Sequence, residues 1–196
     1  MTTATTPKGE RRRQALVEAA AHLLVEGGFE AVRHRAVAER ASLPLASTTY
    51  YFESLDELIA AALEFLGRSE LAQGRAVLDG LTEPPRDLEK LVELVLDQLL
   101  GPADTNDAEA VLLRYERLVA TGRRPYLRPL MLELGGELRG LLHETFTRAG
   151  AEIDAAELEE VIALVDGSVV NALIEVYPDP RAAARRMLRE VLGRRR

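Results

Sequence analysis

Five consecutive residues, Ser47 to Tyr51, all carry hydroxyl groups. Hydroxyls hydrogen-bond phosphates and base edges, and a threonine methyl can contact thymine. Basic side chains that could supply charge for phosphates precede them in the sequence: Lys8, Arg11, Arg12, Arg13, Arg33 and Arg35. These residue types favour contact with nucleic acid.

The residues that most often catalyse reactions or bind metals are scattered. The histidines His22, His34 and His143 are far apart, and cysteine is absent. No metalloprotease spacing, phosphate-binding loop, dinucleotide-binding loop or nucleophile elbow occurs. We therefore expect no enzyme activity, no metal and no cofactor.

Helices are predicted to position the hydroxyl residues. A first helix is indicated by apolar residues at i, i+3, i+4, i+7 and i+8 spacing, namely Leu16, Ala19, Ala20, Leu23 and Leu24. Gly27-Gly28 should end it. Two short helices then fit Arg33 to Arg40 and Leu45 to Tyr51. Ala41-Ser42-Leu43 separates them, and Pro44 restarts the chain in a first-turn position where its missing N–H does no harm.

Two short helices joined by a tight turn fit a helix-turn-helix, whose second helix enters the major groove while the first crosses the backbone. The alternative is that they simply pack within a helical domain, and spacing alone leaves both open. In the DNA-binding interpretation the hydroxyl residues of the second helix face outward. The candidate DNA contacts are Arg33, His34, Arg35, Leu45, Ser47, Thr48, Thr49, Tyr50, Tyr51 and Ser54.

A longer helix is predicted to begin near Ser54. Ser54 is a good N-cap, and Glu57 three residues later completes a reciprocal capping box. An apolar run follows: Leu58, Ile59, Ala62, Leu63 and Leu66. This helix, 54–79, would connect the first part of the chain to the rest.

The same segment resembles the TetR family of bacterial regulators. The similar runs are QALVEAA at 14–20, EGGF at 26–29, VAERA at 37–41, STTYYF at 47–52 and LDELI at 55–59. The resemblance implies a three-helix DNA-binding head, 1–53, and a larger helical domain for ligand binding and dimerisation, 54–196. It further implies a repressor-like homodimer on a palindromic double-stranded DNA operator, controlled by an unknown small-molecule inducer.

Three positions depart from the family pattern. Ser42 stands where the turn usually has Gly, and a positive φ costs such a residue on the order of 1 kcal/mol, so we expect a slightly reshaped turn. Where the family often has Tyr-Tyr-His, this chain has Thr49, Tyr50 and Tyr51, which leaves Tyr50 as the safest carried-over contact. Leu55 replaces a common phosphate-binding Lys, a role that the backbone amides near Ser54 could take.

Composition limits the class of protein. The 196 residues are 47% hydrophobic, enough for a buried core, but no run of 18 apolar residues occurs and the N-terminal segment is polar. We therefore expect a cytoplasmic, nucleoid-associated protein with no membrane partner. The net charge of -7 is uneven: residues 1–50 carry seven Lys and Arg against five Asp and Glu, and the rest carry 18 against 27. Phosphate binding needs local cations, which the predicted head supplies.

Beyond residue 79 the pattern is helical throughout, and we expect an all-α fold of about nine helices. The further helices are predicted after Pro84-Pro85, over Ala108 to Ala120, from Leu127 to Gly150, over Asp154 to Tyr177 and over Asp179 to Gly193, with a polar loop at 101–107.

The eighth predicted helix is apolar nearly all round from Val161 onward, so it needs cover on more than one side. A second copy could cover it through a four-helix contact of the last two helices, and burial within one monomer is the alternative. The residues predicted for this dimer interface are Val161, Val165, Val169, Leu173, Met187 and Val191.

An inducer pocket is expected among helices four to eight, where polar side chains interrupt apolar faces, and it should suit a small hydrophobic molecule. The candidates are Arg114, Tyr115, Glu116, His143, Asp166 and Asn171. Each has a structural alternative, such as an ion pair, a cap or a surface position. The second functional interpretation is an architectural DNA-binding protein or an interaction module without inducer control.

Overall fold

The computed structural model describes residues 6–102, 108–176 and 179–194. In these ranges nine α-helices and one 3-10 turn form, which confirms the predicted all-α class. The helices are α1 (Pro7–Ala31), α2 (His34–Arg40), α3 (Leu45–Tyr51), α4 (Leu55–Asp79), α5 (Leu88–Leu100), α6 (Ala108–Thr121), α7 (Arg128–Arg148), α8 (Ala155–Ile174) and α9 (Pro180–Arg194), and the 3-10 turn is Pro125–Leu127. Most of the predicted 101–107 loop, and Tyr177 at the predicted end of α8, lie outside the described residues.

Local chemistry explains a break within α1 and the start of α5. Within α1 the backbone leaves the helical conformation at Gly27-Gly28, with Gly28 at φ 63, where the sequence predicted the end. The start of α5 differs from the prediction at Pro84-Pro85. The Asp87 carboxylate accepts a first-turn N–H at 3.0 Å, so this N-cap makes Leu88 the first helical residue.

The described residues form two compact units. The first unit contains the residues up to Arg68 together with Glu116–Met131, and the second contains Ser69–Tyr115 and the residues from Leu132 onward. The long helix α4 therefore contributes to both. The first unit is larger than the predicted head 1–53, because a distant stretch of sequence packs into it.

The core of the first unit shows how that stretch is held. Leu127, from the 3-10 turn, is fully buried in the head cluster. The same cluster also contains Leu16, Leu24, Val37, Phe52 and Leu58. Burying one such side chain stabilises a fold by roughly 1.5–3 kcal/mol, so Leu127 fixes the turn after α6 to the head.

The second unit is built around α5, α8 and α9, with α9 packed on both of the others. Its core includes Leu91, Val95, Leu142, Phe146, Val165 and Leu188. Among the described residues, no helix is both long enough and apolar enough to span a bilayer.

An ion-pair ladder joins α5 to α9. Acidic residues four apart on α5 pair with arginines four apart on α9, in reversed order: Glu89 with Arg189, Glu93 with Arg185 and Arg181, and Asp97 with Arg181. Arg181 is buried and also donates to the Gly101 carbonyl at 2.8 Å. The reversed order of the pairs shows that α5 and α9 run antiparallel. The sequence prediction missed this ladder, although the matching spacing of opposite charges could have indicated it.

Candidate nucleic-acid interface and interior polar site

A tight turn connects α2 to α3. Ser42 adopts φ 54, its N–H donates to the Glu39 carbonyl at 3.1 Å, and the Leu43 N–H donates to the Ala38 carbonyl at 2.9 Å. These two bonds form a Schellman motif, which normally has glycine at the left-handed position. The serine therefore adopts the strained left-handed conformation, and the turn closes with both hydrogen bonds of this motif.

One predicted contact on α3 is wrong. Thr48 is fully buried, and its hydroxyl donates to the Leu45 carbonyl at 2.8 Å. On a helix of 3.6 residues per turn this position faces the head core, and its one polar group is satisfied inside the helix. Thr48 is thus a packing residue.

The other α3 candidates remain accessible. Tyr50 is 80% exposed and Leu45 54% exposed, whereas Ser47 and Tyr51 are half-buried. The rings of Tyr50 and Tyr51 meet edge to face, with centroids 4.9 Å apart. Thr49 is exposed, and its hydroxyl donates to the Ala46 carbonyl at 3.3 Å.

Two arginines of the head are exposed beside this helix pair. Arg33 donates to the Glu30 carbonyl at 3.2 Å, and Arg35 donates to the Glu39 carboxylate at 2.9 Å. Exposed pairs of this kind contribute little, so both guanidiniums can exchange their partner for a phosphate. His34 is half-buried, and its Nδ1 is enclosed without a hydrogen-bond partner.

The basic residues Lys8, Arg11, Arg12 and Arg13 lie in the first turns of α1. All four are exposed, and Arg13 also places its guanidinium 4.8 Å from the centre of the Phe52 ring. That cation–π contact gives Arg13 a structural role in addition to its charge.

Ser54 caps α4, but the predicted capping box is shifted by one residue. The Ser54 hydroxyl accepts the Glu57 N–H at 3.1 Å, as predicted. The Glu57 carboxylate, however, accepts the N–H of Glu53 at 2.7 Å instead of that of Ser54.

Further polar contacts hold the turn after α6 in the first unit. Arg124 lies 3.7 Å from the centre of the Phe29 ring. The Tyr126 hydroxyl donates to the adjacent Asp56 carboxylate. Burial and this carboxylate raise the pKa of Tyr126 to about 12. The sequence places this segment only between two predicted helices, 108–120 and 127–150.

The second unit contains a partly buried polar pair. Tyr115 is buried, and its hydroxyl donates to the Asp166 carboxylate at 2.8 Å. Burial first, and the Asp166 charge second, raise the pKa of Tyr115 well above its ordinary value. Arg114 instead pairs with Glu70 at 2.9 Å. Within the described residues, Asp166 takes part in this hydrogen bond but in no ion pair.

Three other pocket candidates lie elsewhere. Glu116, His143 and Asn171 are all exposed, and Glu116 belongs to the first unit. Their helices turn other, apolar faces to the core, although Asn171 borders a small open cavity together with Ser168 and Met187.

The sequence did not predict a second polar contact in this unit, between Gln98 and Thr145. Gln98 donates to the Thr145 hydroxyl at 2.7 Å, which in turn donates to the Leu141 carbonyl at 2.9 Å. The Gln98 Oε1 is buried without a partner. A glutamine inside the apolar run of α5 was the signal that could have found it.

The predicted dimer residues on α8 are also corrected. Val161, Val165 and Val169 are buried in the core of their own unit, so their stripe is the internal face of the helix. Leu173 and Val191 are half-buried, and Met187 is exposed. The exposed apolar residues at this end of the unit are Val170, Ile174, Val176 and Met187.

Two family profiles match the chain. Residues 16–62 match "Bacterial regulatory proteins, tetR family", and residues 86–194 match "Tetracyclin repressor-like, C-terminal domain". The second match alone spans more than half of the chain. The chain belongs to the TetR family. As a member it is a DNA-binding transcriptional regulator and not an enzyme, which confirms the family and class predicted from the sequence.

Individual TetR-family relatives agree with this assignment. The HTH-type transcriptional repressor KstR of Rhodococcus jostii (strain RHA1) is 30% identical over 183 residues, covering 90% of this chain and 67% of KstR. The HTH-type transcriptional regulator PksA of Bacillus subtilis (strain 168) is 24% identical over 172 residues, covering 85% of this chain and 80% of PksA. The crystal structure of the multidrug binding protein EbrR complexed with ethidium aligns with a TM-score of 0.68 at 32% identity, covering 94% of this chain and 98% of that one. EbrR has also been crystallised with proflavin.

Proposed function

We propose that this TetR-family regulator is a repressor that binds a palindromic operator as a homodimer and leaves it when a small organic cation binds. The observation that carries the proposal is the exposed surface of α3 flanked by exposed arginines on a helix-turn-helix with an intact turn. The proposed site of action is the nucleoid in the cytoplasm.

The proposed DNA surface keeps the sequence candidates that are at least partly accessible. Phosphates would be held by the basic groups and by the α4 cap region: Lys8, Arg11, Arg12, Arg33, Arg35 and Ser54. Base edges and neighbouring phosphates would meet the α3 residues Leu45, Ser47, Thr49, Tyr50 and Tyr51. His34 is half-buried at the start of α2, so it would lie at the edge of the proposed DNA surface.

The decisive experiment selects bound DNA from a random pool with purified protein at about 150 mM salt, where non-specific binding is weak. A palindrome with half-sites about 34–36 Å apart, or a multiple of that distance, is the expected result for a dimer. Tyr50→Phe tests the role of the exposed hydroxyl at that position, and Tyr51→Phe tests the role of the half-buried one. Sequence-independent binding would instead support the architectural interpretation.

The proposed dimer contact uses the outer face of α8 and α9. Gly167 lies on the exposed side of α8, and a Cβ there would meet nothing within 4 Å. A glycine in mid-helix costs about 0.5–1 kcal/mol relative to alanine, and packing within the monomer gives no reason for it. Close approach of a second copy would give one, with Val170 and Ile174 as neighbouring apolar contacts.

Gly167→Leu should therefore convert the dimer to a monomer at micromolar concentration, as measured by analytical ultracentrifugation. Gly136→Leu is the matched control, because Gly136 on α7 is also exposed and equally open. If both variants sediment like the unchanged protein, this face is not the interface.

The proposed ligand is an aromatic monocation that pairs with Asp166. The Asp166 carboxylate is half-buried, and the Tyr115 hydroxyl donates one hydrogen bond to it without neutralising its charge, so a bound cation would compensate that charge. The neighbouring Arg114 is already matched by Glu70. The relative EbrR, complexed with the cationic dyes proflavin and ethidium, supports this choice of class.

Ethidium and proflavin fluorescence titrations test the ligand site. Asp166→Asn should weaken binding about tenfold, equivalent to about 1.4 kcal/mol, because it removes the charge and keeps the shape. Glu175→Gln, which changes an exposed residue directly after the same helix, is the control. Unchanged affinity in Asp166→Asn would exclude this carboxylate as the counter-charge.

A further inference from the structure

The base-reading helix α3 lacks every side chain that reads a base through two hydrogen bonds. Arg and Lys make such contacts to guanine, Asn and Gln make them to adenine, and Asp and Glu accept from cytosine. Between Pro44 and Phe52 the chain contains none of these six residue types. If this helix lies in the major groove, it distinguishes bases by other means.

The two residues that α3 exposes in its first turn are aliphatic, and an exposed threonine follows in the next turn. Leu45 is 54% exposed, and Ala46 and Thr49 are exposed as well. Positions 45, 46 and 49 are neighbours on a helix, because residues three and four apart share a face. They form one small patch, and in a helix-turn-helix the first residues of the recognition helix meet the base edges.

Thr49 belongs to this patch through its methyl group. Its hydroxyl already donates to the Ala46 carbonyl at 3.3 Å, so a hydrogen bond to a base acceptor would require it to give up this partner. The γ-methyl and the oxygen lone pairs are the groups that remain. The buried Thr48 has the same internal bond, to Leu45 at 2.8 Å, and contributes nothing outward.

We infer that this patch, Leu45, Ala46 and Thr49, selects its operator by contact with thymine methyl groups. In the major groove thymine alone among the four bases carries a methyl, at C5. Contact between the patch and a thymine methyl buries apolar surface from both sides and so favours association. A guanine or cytosine edge placed against the same patch would lose its hydrogen bonds to water without gaining a partner. This inference rests on the proposed operator binding and specifies what each half-site contains.

The test begins with the operator obtained by DNA selection. Thymines at the half-site positions protected by the protein are replaced one at a time by deoxyuridine, which removes only the methyl and keeps every base-pairing group. We expect about a fourfold loss of affinity for each contacted methyl, the value for one buried methylene-sized group. Deoxyuridine at the unprotected centre and flanks should have no effect.

A matched pair of protein variants locates the contact. Leu45→Ala should weaken binding to the thymine operator and reduce the penalty for deoxyuridine at its partner position, because the two groups contact each other. Val25→Ala removes a similarly exposed aliphatic group from α1 and should change neither quantity. A deoxyuridine penalty that Leu45→Ala, Ala46→Gly and Thr49→Ser all leave unchanged would overturn the assignment to this patch.

The outcomes separate this inference from the proposed function. A specific operator that tolerates deoxyuridine throughout, or whose positions under the protein are all G·C, would refute thymine-methyl reading and leave the regulator proposal intact. Failure to select any specific operator would refute the regulator proposal itself.

Discussion

Arginines have different partners in the two units. In the first, Arg35 is 85% exposed and pairs with Glu39 on its own helix, an arrangement that contributes about 0.3–0.5 kcal/mol. In the second, Arg181 is 4% exposed and pairs with Glu93 and Asp97 on another helix. The first kind of arginine can transfer to a phosphate, whereas the second is part of the fold.

This difference shows why the number of arginines says little about DNA binding. Residues 1–50 carry only two more basic than acidic side chains, seven against five. Among the described residues, the second unit contains nearly as many arginines as the first, but many of them are held by carboxylates, including Arg139 by Glu159 and Arg148 by Asp79. Accessibility of the charge therefore distinguishes the proposed DNA surface.

The largest expected effect comes from breaking the ladder. Arg181→Met should lower the free energy of unfolding by about 3 kcal/mol, since it leaves two carboxylates and the Gly101 carbonyl without their shared donor. Urea denaturation measures this change. Arg35→Ala should alter it by no more than about 0.5 kcal/mol. Equal stability losses in the two variants would remove the distinction between the units.

Operator binding should show the opposite pattern, with losses in the first unit and none in the second. Arg33→Ala and Arg35→Ala should each weaken operator binding about tenfold and reduce the salt dependence by about one counterion. Arg139→Ala, which removes an exposed ion pair in the second unit, should leave both quantities unchanged. Fluorescence anisotropy at several salt concentrations gives the comparison. The proposed phosphate contacts are wrong if the Arg139 variant loses as much affinity as the other two.

The helix-turn-helix was predictable because its signals are local. Pro44 and the following short run gave α3 as Leu45–Tyr51, the bounds found in the structure. The error at Thr48 arose because polar residues were assumed to face outward. A threonine can bury its side chain when its hydroxyl bonds to the preceding turn, and the sequence alone does not reveal this choice.

The second unit was less predictable because its contacts join distant residues. Tyr115 and Asp166 were both candidates, but nothing in their spacing indicated that they bond to each other. On α8 nearly every face is apolar, so periodicity could not tell the internal stripe of Val161, Val165 and Val169 from the outer one. Packing against the rest of the unit decides which stripe is buried.

Two turns of the same type, one in each unit, give a smaller effect. Ser42 and Gly150 both occupy the left-handed position of a Schellman motif, at φ 54 and φ 72. Ser42→Gly should raise the free energy of unfolding by about 0.5–1 kcal/mol, and Gly150→Ala should lower it by about 1 kcal/mol. Thermal unfolding of both variants tests this. A destabilised Ser42→Gly would mean that the serine side chain contributes more than its backbone strain costs.

The smallest expected effect concerns acid. The hydrogen bond from Arg185, aided by Arg181, holds the pKa of Glu93 below its usual value of 4.5. A carboxyl whose pKa is depressed by folding stabilises the protein above its unfolded pKa and loses that contribution as pH falls through the folded value. Glu93→Gln should therefore flatten the decline in urea stability below about pH 4.5, by only a fraction of a kcal/mol because the carboxylate is partly exposed to solvent. An identical pH profile in the variant would mean that the ladder is held by the burial of Arg181 and its carbonyl bond more than by the charge of Glu93.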